Sequence, residues 1–244
     1  MADIIVGRNP ILEALKSGRP VDKILIAKNI ERHGVIAEII HRAQTGDIPL
    51  EWVERQAIDR MSETSSSQGI LAFTSAKEYV DLQDLLAISG KKNEAAFYVI
   101  LDGIEDPHNL GAVLRTAEAA GVHGIVTRER RAVGLTSTVA KASAGALEYV
   151  PVARVTNISQ TIETLKQKNI WIVGIDQSSE LGYTQLDYKP PTALVVGGEG
   201  RGLSDLVKKS CDFLVRIPMK GKISSLNASV AAGVMMYEVV RQRG

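Results

Sequence analysis

The sequence has little of what would commit a chain to secretion, a membrane or a metal. It holds one cysteine, Cys211, so no internal disulfide can form, which suits a reducing compartment. The setting SCDFLV reads as packing at a strand edge, because no environment that would lower a thiol pKa is visible around it. The four histidines, His33, His41, His108 and His123, offer no ligand spacing, so no metal is expected. No apolar run approaches the roughly 20 residues of a membrane-spanning helix. The start MADIIVGRNP lacks the basic opening and long apolar core of a signal peptide. The expectation is a cytoplasmic protein with no membrane partner. Net charge is also scarce, at +1, so any nucleic-acid partner must be argued from how charge is distributed.

What is present is ordinary globular material: 244 residues, 45% hydrophobic and 23% charged, enough for two compact domains at roughly 100–200 residues each. Asn9 can cap a helix that Pro10 starts. A short strand fits 23–27, an amphipathic helix fits Val35, Ile36, Ile39, Ile40 and Ala43, and strands fit 49–53 and 69–74. These make a small α/β unit over residues 1–75. Residues 76–95 are mixed in charge, with a turn at Gly90-Lys91-Lys92-Asn93, and read as a linker with a short helix around 82–88. Over 96–244 six apolar runs (FYVILD, GIVT, YVPVAR, IWIVGID, ALVVGG, FLVRI) alternate with helical patterns such as 109–120, 136–147, 158–168 and 203–210. That alternation predicts a mainly parallel sheet covered by helices on both faces.

In such sheets ligands bind beyond the carboxyl ends of the strands, so the loops after FYVILD, ALVV and FLVRI carry the interest. The loop of Gly197, Gly198, Glu199, Gly200 and Gly202 permits positive φ and close backbone approach. It is either a phosphate cradle or a common glycine-rich turn, and its spacing is not the dinucleotide fingerprint. No early strand–GxGxxG–helix unit exists to support a dehydrogenase. After FYVILD, Asn109 and Arg115 fall six residues apart. They share a side only if the helix begins near Asn109 or the chain bends before it, and Arg115 can equally pair with Glu118 on the helix surface. In the third loop, Ser224, Ser225 or Asn227 can cap the helix 226–241. One cap needs one of them, and the surplus of small polar groups, Ser229 included, suggests a polar ligand site. Basic residues bunch as Arg128, Arg130 and Arg131 and as Arg216, Lys220 and Lys222, either a solvated face or a footprint for an anionic partner.

Together DGIEDPHNLGAVLRTAEAAGVHGI, LVVGGEGRGL and IPMKGKISSLNASVAAG resemble the three motifs of the SpoU/TrmH family of RNA ribose 2′-O-methyltransferases. The resemblance runs through nearly all of 97–244. Residues 1–75 resemble the small substrate-binding domain that precedes the catalytic domain in many members, similar in shape to ribosomal proteins that bind RNA kinks. One departure stands there: members often carry His before Gln-Gly, whereas this chain has Ser67-Gln68-Gly69, and no role is assigned to it. The pattern is most like members that methylate a guanosine ribose of large-subunit rRNA. A tRNA substrate and a non-catalytic RNA-binding adaptor are the alternatives.

The resemblance implies a deep trefoil knot in the C-terminal domain and a homodimer paired through it, with active sites shared between subunits. It implies S-adenosylmethionine as cofactor, held by Gly197, Gly198, Ile217, Met219 and Leu226. Arg115, Asn109, Glu199, Ser225 and Asn227 are the implied catalytic set. Arg128, Arg130, Arg131, Lys220 and Lys222 are the expected RNA contacts. A guanidinium stays protonated at any working pH, so Arg115 is read as a bidentate phosphate grip rather than a base, with that phosphate or water taking the proton.

Overall fold

The computed structural model describes residues 3–62, 67–200 and 202–244, in two compact units. The first joins residues 3–78 to 134–149. Its sheet, in the order β1-β4-β2-β3, is built from β1 (Asp3–Val6), β2 (Val21–Ala27), β3 (Leu50–Val53) and β4 (Ile70–Thr74). The β2–β3 pair is parallel and the β4 pairs antiparallel. Helices α1 (Arg8–Ser17) and α2 (Val35–Thr45) bury Ile11, Leu12, Ile36 and Ile39 against Ile24, Ile26 and Ile70. A short α3 (Arg55–Met61) places Ile58 among Leu25 and Leu71.

Asn9 does not cap α1. The helix starts at Arg8 after Gly7 (φ 104°), with Pro10 inside its first turn, where a missing N–H costs no intrahelical bond. The Gln68 side-chain oxygen accepts the Arg8 backbone N–H at 2.9 Å. Ser67 is buried, bonds Asp59 and accepts the Gly69 N–H. The Ser67-Gln68-Gly69 stretch therefore fixes the turn into β4, with Gln68 and Gly69 both at positive φ.

The units are not three consecutive segments. The helical pattern expected over 136–147 is broken at Ala144 (φ 52°) and Gly145 (φ 100°) into α6 (Ser137–Ala142) and a 3₁₀ turn, Ala146–Glu148. A Cβ on Gly145 would lie 2.5 Å from Glu13 Cγ, so the glycine admits this excursion onto α1. Glu148 anchors it: its side chain, 2% exposed, meets Arg19 Nη1 at 2.8 Å and Lys77 Nζ at 3.3 Å. The segment 76–95 carries the expected helix, extended and packed into the second unit. Val80 bridges Ala153, and α4 (Leu82–Lys92) runs through Gly90 to a left-handed cap at Asn93, burying Leu85 and Leu86 with Tyr98 and Val126. Mixed surface charge hid that two-residue apolar contact.

The second unit, 79–133 with 150–244, holds a six-stranded sheet in the order β10-β8-β9-β5-β6-β7, every pair parallel. Its strands are β5 (Phe97–Asp102), β6 (Gly124–Arg128), β7 (Val152–Val155), β8 (Trp171–Ile175), β9 (Thr192–Gly197) and β10 (Phe213–Val215). The crossovers include α5 (Pro107–Ala119), α7 (Ile158–Gln167) and α8 (Asp205–Ser210), and α9 (Ala228–Arg243) closes the chain. β5 is buried at every residue, as a central strand covered on both faces must be. Side chains alternate across it, so Tyr98 and Ile100 pack with α4, α7 and Leu203, while α5 and α9 pack together elsewhere on the unit. The connection leaving β5 runs to β6 on one side and that leaving β9 runs toward β10 on the other. The adjacent ends of β5 and β9 thus form the topological switch point of the sheet.

Two outcomes follow from buried charge. Glu148→Ala should destabilise the first unit by about 3 kcal/mol, the low end for a broken buried pair because Asp3 still reaches Arg19; denaturant titration checks this. His123 is 2% exposed on its side chain, with Nδ1 accepting the Phe97 N–H at 3.1 Å and Nε2 facing Glu94 at 3.0 Å. Burial pushes its pKa below the ordinary histidine value, and Glu94 opposes this only partly. The unfolded chain then binds the proton more readily, so stability is lost as pH falls below about 6.5, the unfolded value. Thermal midpoints from pH 7.5 to 5.5 should fall, and fall less in His123→Asn, whose amide oxygen can still accept from Phe97.

Candidate active site

At the switch point the chain folds back on itself with no room for side chains. Asp102 pairs with Gly197 across β5 and β9, and the Gly198 N–H donates to the Asp102 carbonyl at 3.0 Å. A Cβ on Gly197 would sit 2.2 Å from the Gly202 carbonyl carbon, and one on Gly198 would sit 2.2 Å from the Gly103 oxygen. Gly200 and Gly202 adopt positive φ, 77° and 61°, and the Gly202 N–H returns to the Gly198 carbonyl. The glycine loop is therefore not a loose turn: two glycines permit backbone on backbone and two permit the reversal.

A cleft of about 580 Å³ opens beside this crossing, lined by Asp102, Arg128, Arg131, Gly198, Glu199 and Ser204. Glu199 is exposed at it. Arg128 is not a free RNA contact, since its Nη2 lies 2.6 Å from Asp102 Oδ1. Arg130, Arg131, Lys220 and Lys222 are exposed and form no ion pair among the described residues.

The second cluster joins motifs far apart in the chain. Asp106 caps α5 through the His108 N–H, with Pro107 at the first helical position. Asn109 is buried one turn in, and its Oδ1 accepts from Asn227 Nδ2 at 3.0 Å. Asn227 Oδ1 accepts the Ser229 N–H at 2.9 Å, the Ser229 hydroxyl at 2.6 Å and the Val230 N–H at 3.3 Å. Of the polar residues before α9, Asn227 is the cap, which leaves Ser224 and Ser225 exposed and uninvolved in it. Ile217 is buried, and Met219 and Leu226 are half-buried on the same connection.

Arg115 stands apart. Because α5 begins at Pro107, Asn109 and Arg115 lie on one regular helix about 120° apart round its axis. Asn109 faces inward and Arg115 outward. Among the described residues Arg115 forms no hydrogen bond or ion pair, with Glu118 or otherwise. The structure thus joins Asn109 to Asn227 and brings Glu199 to the cleft, while Arg115 bonds neither group. Burial pushes the Cys211 thiol up to about 12, which removes it as a nucleophile.

Sequence reasoning missed Asp102 and Ser204. Asp102 Oδ2 accepts both the Ser204 N–H (3.0 Å) and the Ser204 hydroxyl (2.9 Å), and its side chain is 3% exposed. The signal was available: an acid closes the otherwise apolar run FYVILD, and a buried carboxylate needs partners.

A six-stranded parallel sheet with a glycine crossing and a polar rim at its switch point defines a ligand-binding α/β domain carrying a separate α/β module. Residues 96–237 match the SpoU rRNA methylase family, and residues 4–80 match the substrate-binding domain of RNA 2′-O ribose methyltransferases. YacO of Bacillus subtilis, named for the TrmH family of tRNA/rRNA methyltransferases, is 49% identical over 99% of this chain and 96% of its own. The SpoU methyltransferase AviRb of Streptomyces viridochromogenes, solved with AdoMet, superposes with a TM-score of 0.82 at 26% identity, covering 98% of this chain and 90% of AviRb. An AdoMet-bound rRNA methyltransferase of Sinorhizobium meliloti gives 0.81 at 25%, covering 98% and 87%. The chain belongs to the SpoU/TrmH family of RNA methyltransferases. Among the described residues no helix is long and apolar enough to cross a membrane.

Asn227→Ala should lose a cap worth about 1 kcal/mol and strand the buried Asn109 carbonyl at a further cost of about 1–3 kcal/mol. Asn227→Ser should recover the cap share alone, and chemical denaturation of the two variants separates the terms.

Proposed function

We propose that this chain transfers a methyl group from S-adenosylmethionine to a ribose 2′-hydroxyl of large-subunit rRNA, at a guanosine, in the cytoplasm and as a homodimer paired through its C-terminal unit. The observation that carries the reading is the Asn109–Asn227 bond. It ties the first and third family motifs together on the unit whose second motif forms the glycine crossing.

The residues present suit the cofactor. Gly197 and Gly198 expose backbone beside the cleft, Gly200 and Gly221 leave open space where a Cβ would stand, and the half-buried Met219 and Leu226 offer apolar surface, with Ile217 buried on the same connection. Bound there, S-adenosylmethionine supplies an activated methyl on a sulfonium that departs as a neutral thioether. The protein's task is then orientation, which can supply about 7–11 kcal/mol of such a barrier. Asn109, its carbonyl taken by Asn227, keeps its amide NH2 to orient the ribose. Glu199 and Ser225, both exposed, order the polar groups around the hydroxyl. The unpartnered Arg115 fork grips the neighbouring phosphate and stabilises developing negative charge, and that phosphate or water receives the proton.

Dimerisation explains Arg115's isolation. Val230, Val234 and Tyr237 form an outward stripe on α9 at helical spacing, with Val230 and Tyr237 about half exposed. Gly233 faces Thr116, the neighbour of Arg115 on α5. A second copy seated on this stripe would receive Arg115 into its own site. The trefoil knot belongs to the same proposal and rests on family membership; residues 181–188 bond Arg216 beyond β10 and also Gln242 and Arg243 at the end of α9.

Mapping ribose methylation in RNA from cells with and without this protein tests the assignment. One guanosine of large-subunit rRNA should lose its methyl, whereas loss from a tRNA would redirect the substrate and no loss would favour an adaptor. In vitro, Arg115→Lys should lower kcat by about 10²-fold, the scale of a lost positioning contact, and unchanged turnover would contradict the phosphate grip. If Arg130, Arg131, Lys220 and Lys222 contact phosphates, log affinity should fall against log salt with a slope near −3, from about −0.7 per contact on a single strand.

A further inference from the structure

We propose that Asp102 is a positioning residue that staples both ends of the loop 198–204 and so sets Glu199 and the cofactor-facing glycines in place. The inference rests on the function proposed above. One residue makes both attachments. Its backbone carbonyl accepts the Gly198 N–H where the loop begins, and its carboxylate accepts the Ser204 N–H and hydroxyl where the loop ends. Between these points Gly198 touches Gly103 backbone closely enough to exclude any Cβ, so a small shift of the loop cannot be absorbed locally.

The carboxylate is itself held. Arg128, the last residue of β6, pairs with Oδ1 at 2.6 Å while Oδ2 serves Ser204. Three adjacent features, the ends of β5 and β6 and the loop after β9, therefore converge on one carboxylate that is almost wholly shielded from water. A short charge-assisted contact in that setting fixes orientation more firmly than a surface pair would. The arrangement has a second effect. Arg128 lines the same cleft as the exposed Glu105 and Glu199, and Asp102 holds its guanidinium in an ion pair instead of leaving it free to pair with them. An unheld Arg128 would neutralise Glu199 and occupy space beside the glycine rim. A purely structural ion pair between β5 and β6 would need no bond to Ser204, and a helix cap would need no arginine; the double engagement with the loop is what assigns the positioning role.

The test compares Asp102→Asn, Ser204→Ala and Ser204→Thr with the wild type in the full-length protein. Amide hydrogen exchange over 198–204, measured without cofactor, reports the staple directly. Calorimetric titration with S-adenosylmethionine reports its consequence. In Asp102→Asn, exchange over the loop should accelerate while β5 stays protected, and the Kd for S-adenosylmethionine should rise about tenfold or more, as losing a charge-assisted bond predicts. Ser204→Ala should show a several-fold share of both effects and Ser204→Thr, which keeps the hydroxyl, should restore both. The double variant should be no worse than Asp102→Asn alone, because the two residues act through one contact. Unchanged loop exchange or unchanged affinity in Asp102→Asn, multiplicative effects in the double variant, or a threonine as impaired as the alanine would each overturn the proposal. Should Asp102→Asn fail to fold, the Ser204 pair decides it alone. Absence of any S-adenosylmethionine binding by the wild type would instead overturn the function on which the inference rests.

Discussion

The fold depends on one close approach, the backbone of residues 197–198 lying so near Gly103 and Gly202 that an added carbon would sit only 2.2 Å from their backbone atoms. That contact lets the chain leaving β9 double back beside the end of β5, at the rim where the strand order switches sides. Two polar clusters join elements far apart in the chain. Asp102 holds the loop from β5, Arg128 holds Asp102 from β6, and Asn227 reaches from the start of α9 to Asn109 on α5. Glycine is needed because packing leaves no volume, a different reason from ligand approach, although both leave backbone groups at the rim.

Much of this architecture was legible in the sequence because near-continuous Val/Ile runs admit few readings. The six parallel strands and the helices between them follow from buried β periodicity. The three loops could be placed at one edge from the parallel topology alone. What escaped was decided by single contacts. Leu85 and Leu86 turn a polar-looking linker into part of the core, and Gly145 with Glu148 carries 134–149 onto the first unit. Neither leaves a periodic trace, because one packed pair or one buried carboxylate suffices.

The candidate residues can be picked out in the sequence, but how they meet cannot. Asn109 and Asn227 were singled out separately, but only coordinates could join residues 118 positions apart. Arg115 shares a side with Asn109 only if the helix begins near Asn109 or the chain bends before it; both lie inside one regular helix from Pro107, and their six-residue spacing turns the arginine outward. Arg128 looked like one of three equivalent cations, yet burial beside Asp102 separates it from Arg130 and Arg131. The general lesson is electrostatic: a basic cluster read from sequence divides into structural and available members according to which charge has a shielded carboxylate within reach.

The proposed function puts S-adenosylmethionine at the glycine crossing between β5 and β9. The most direct measurement is calorimetric titration of the cofactor into the wild type and into Gly198→Ala, whose methyl must displace the Gly103 backbone. The account predicts saturable binding by the wild type and its loss in the variant, with β5 still folded by hydrogen exchange. Equal affinity in both proteins, or no binding by either, would contradict it.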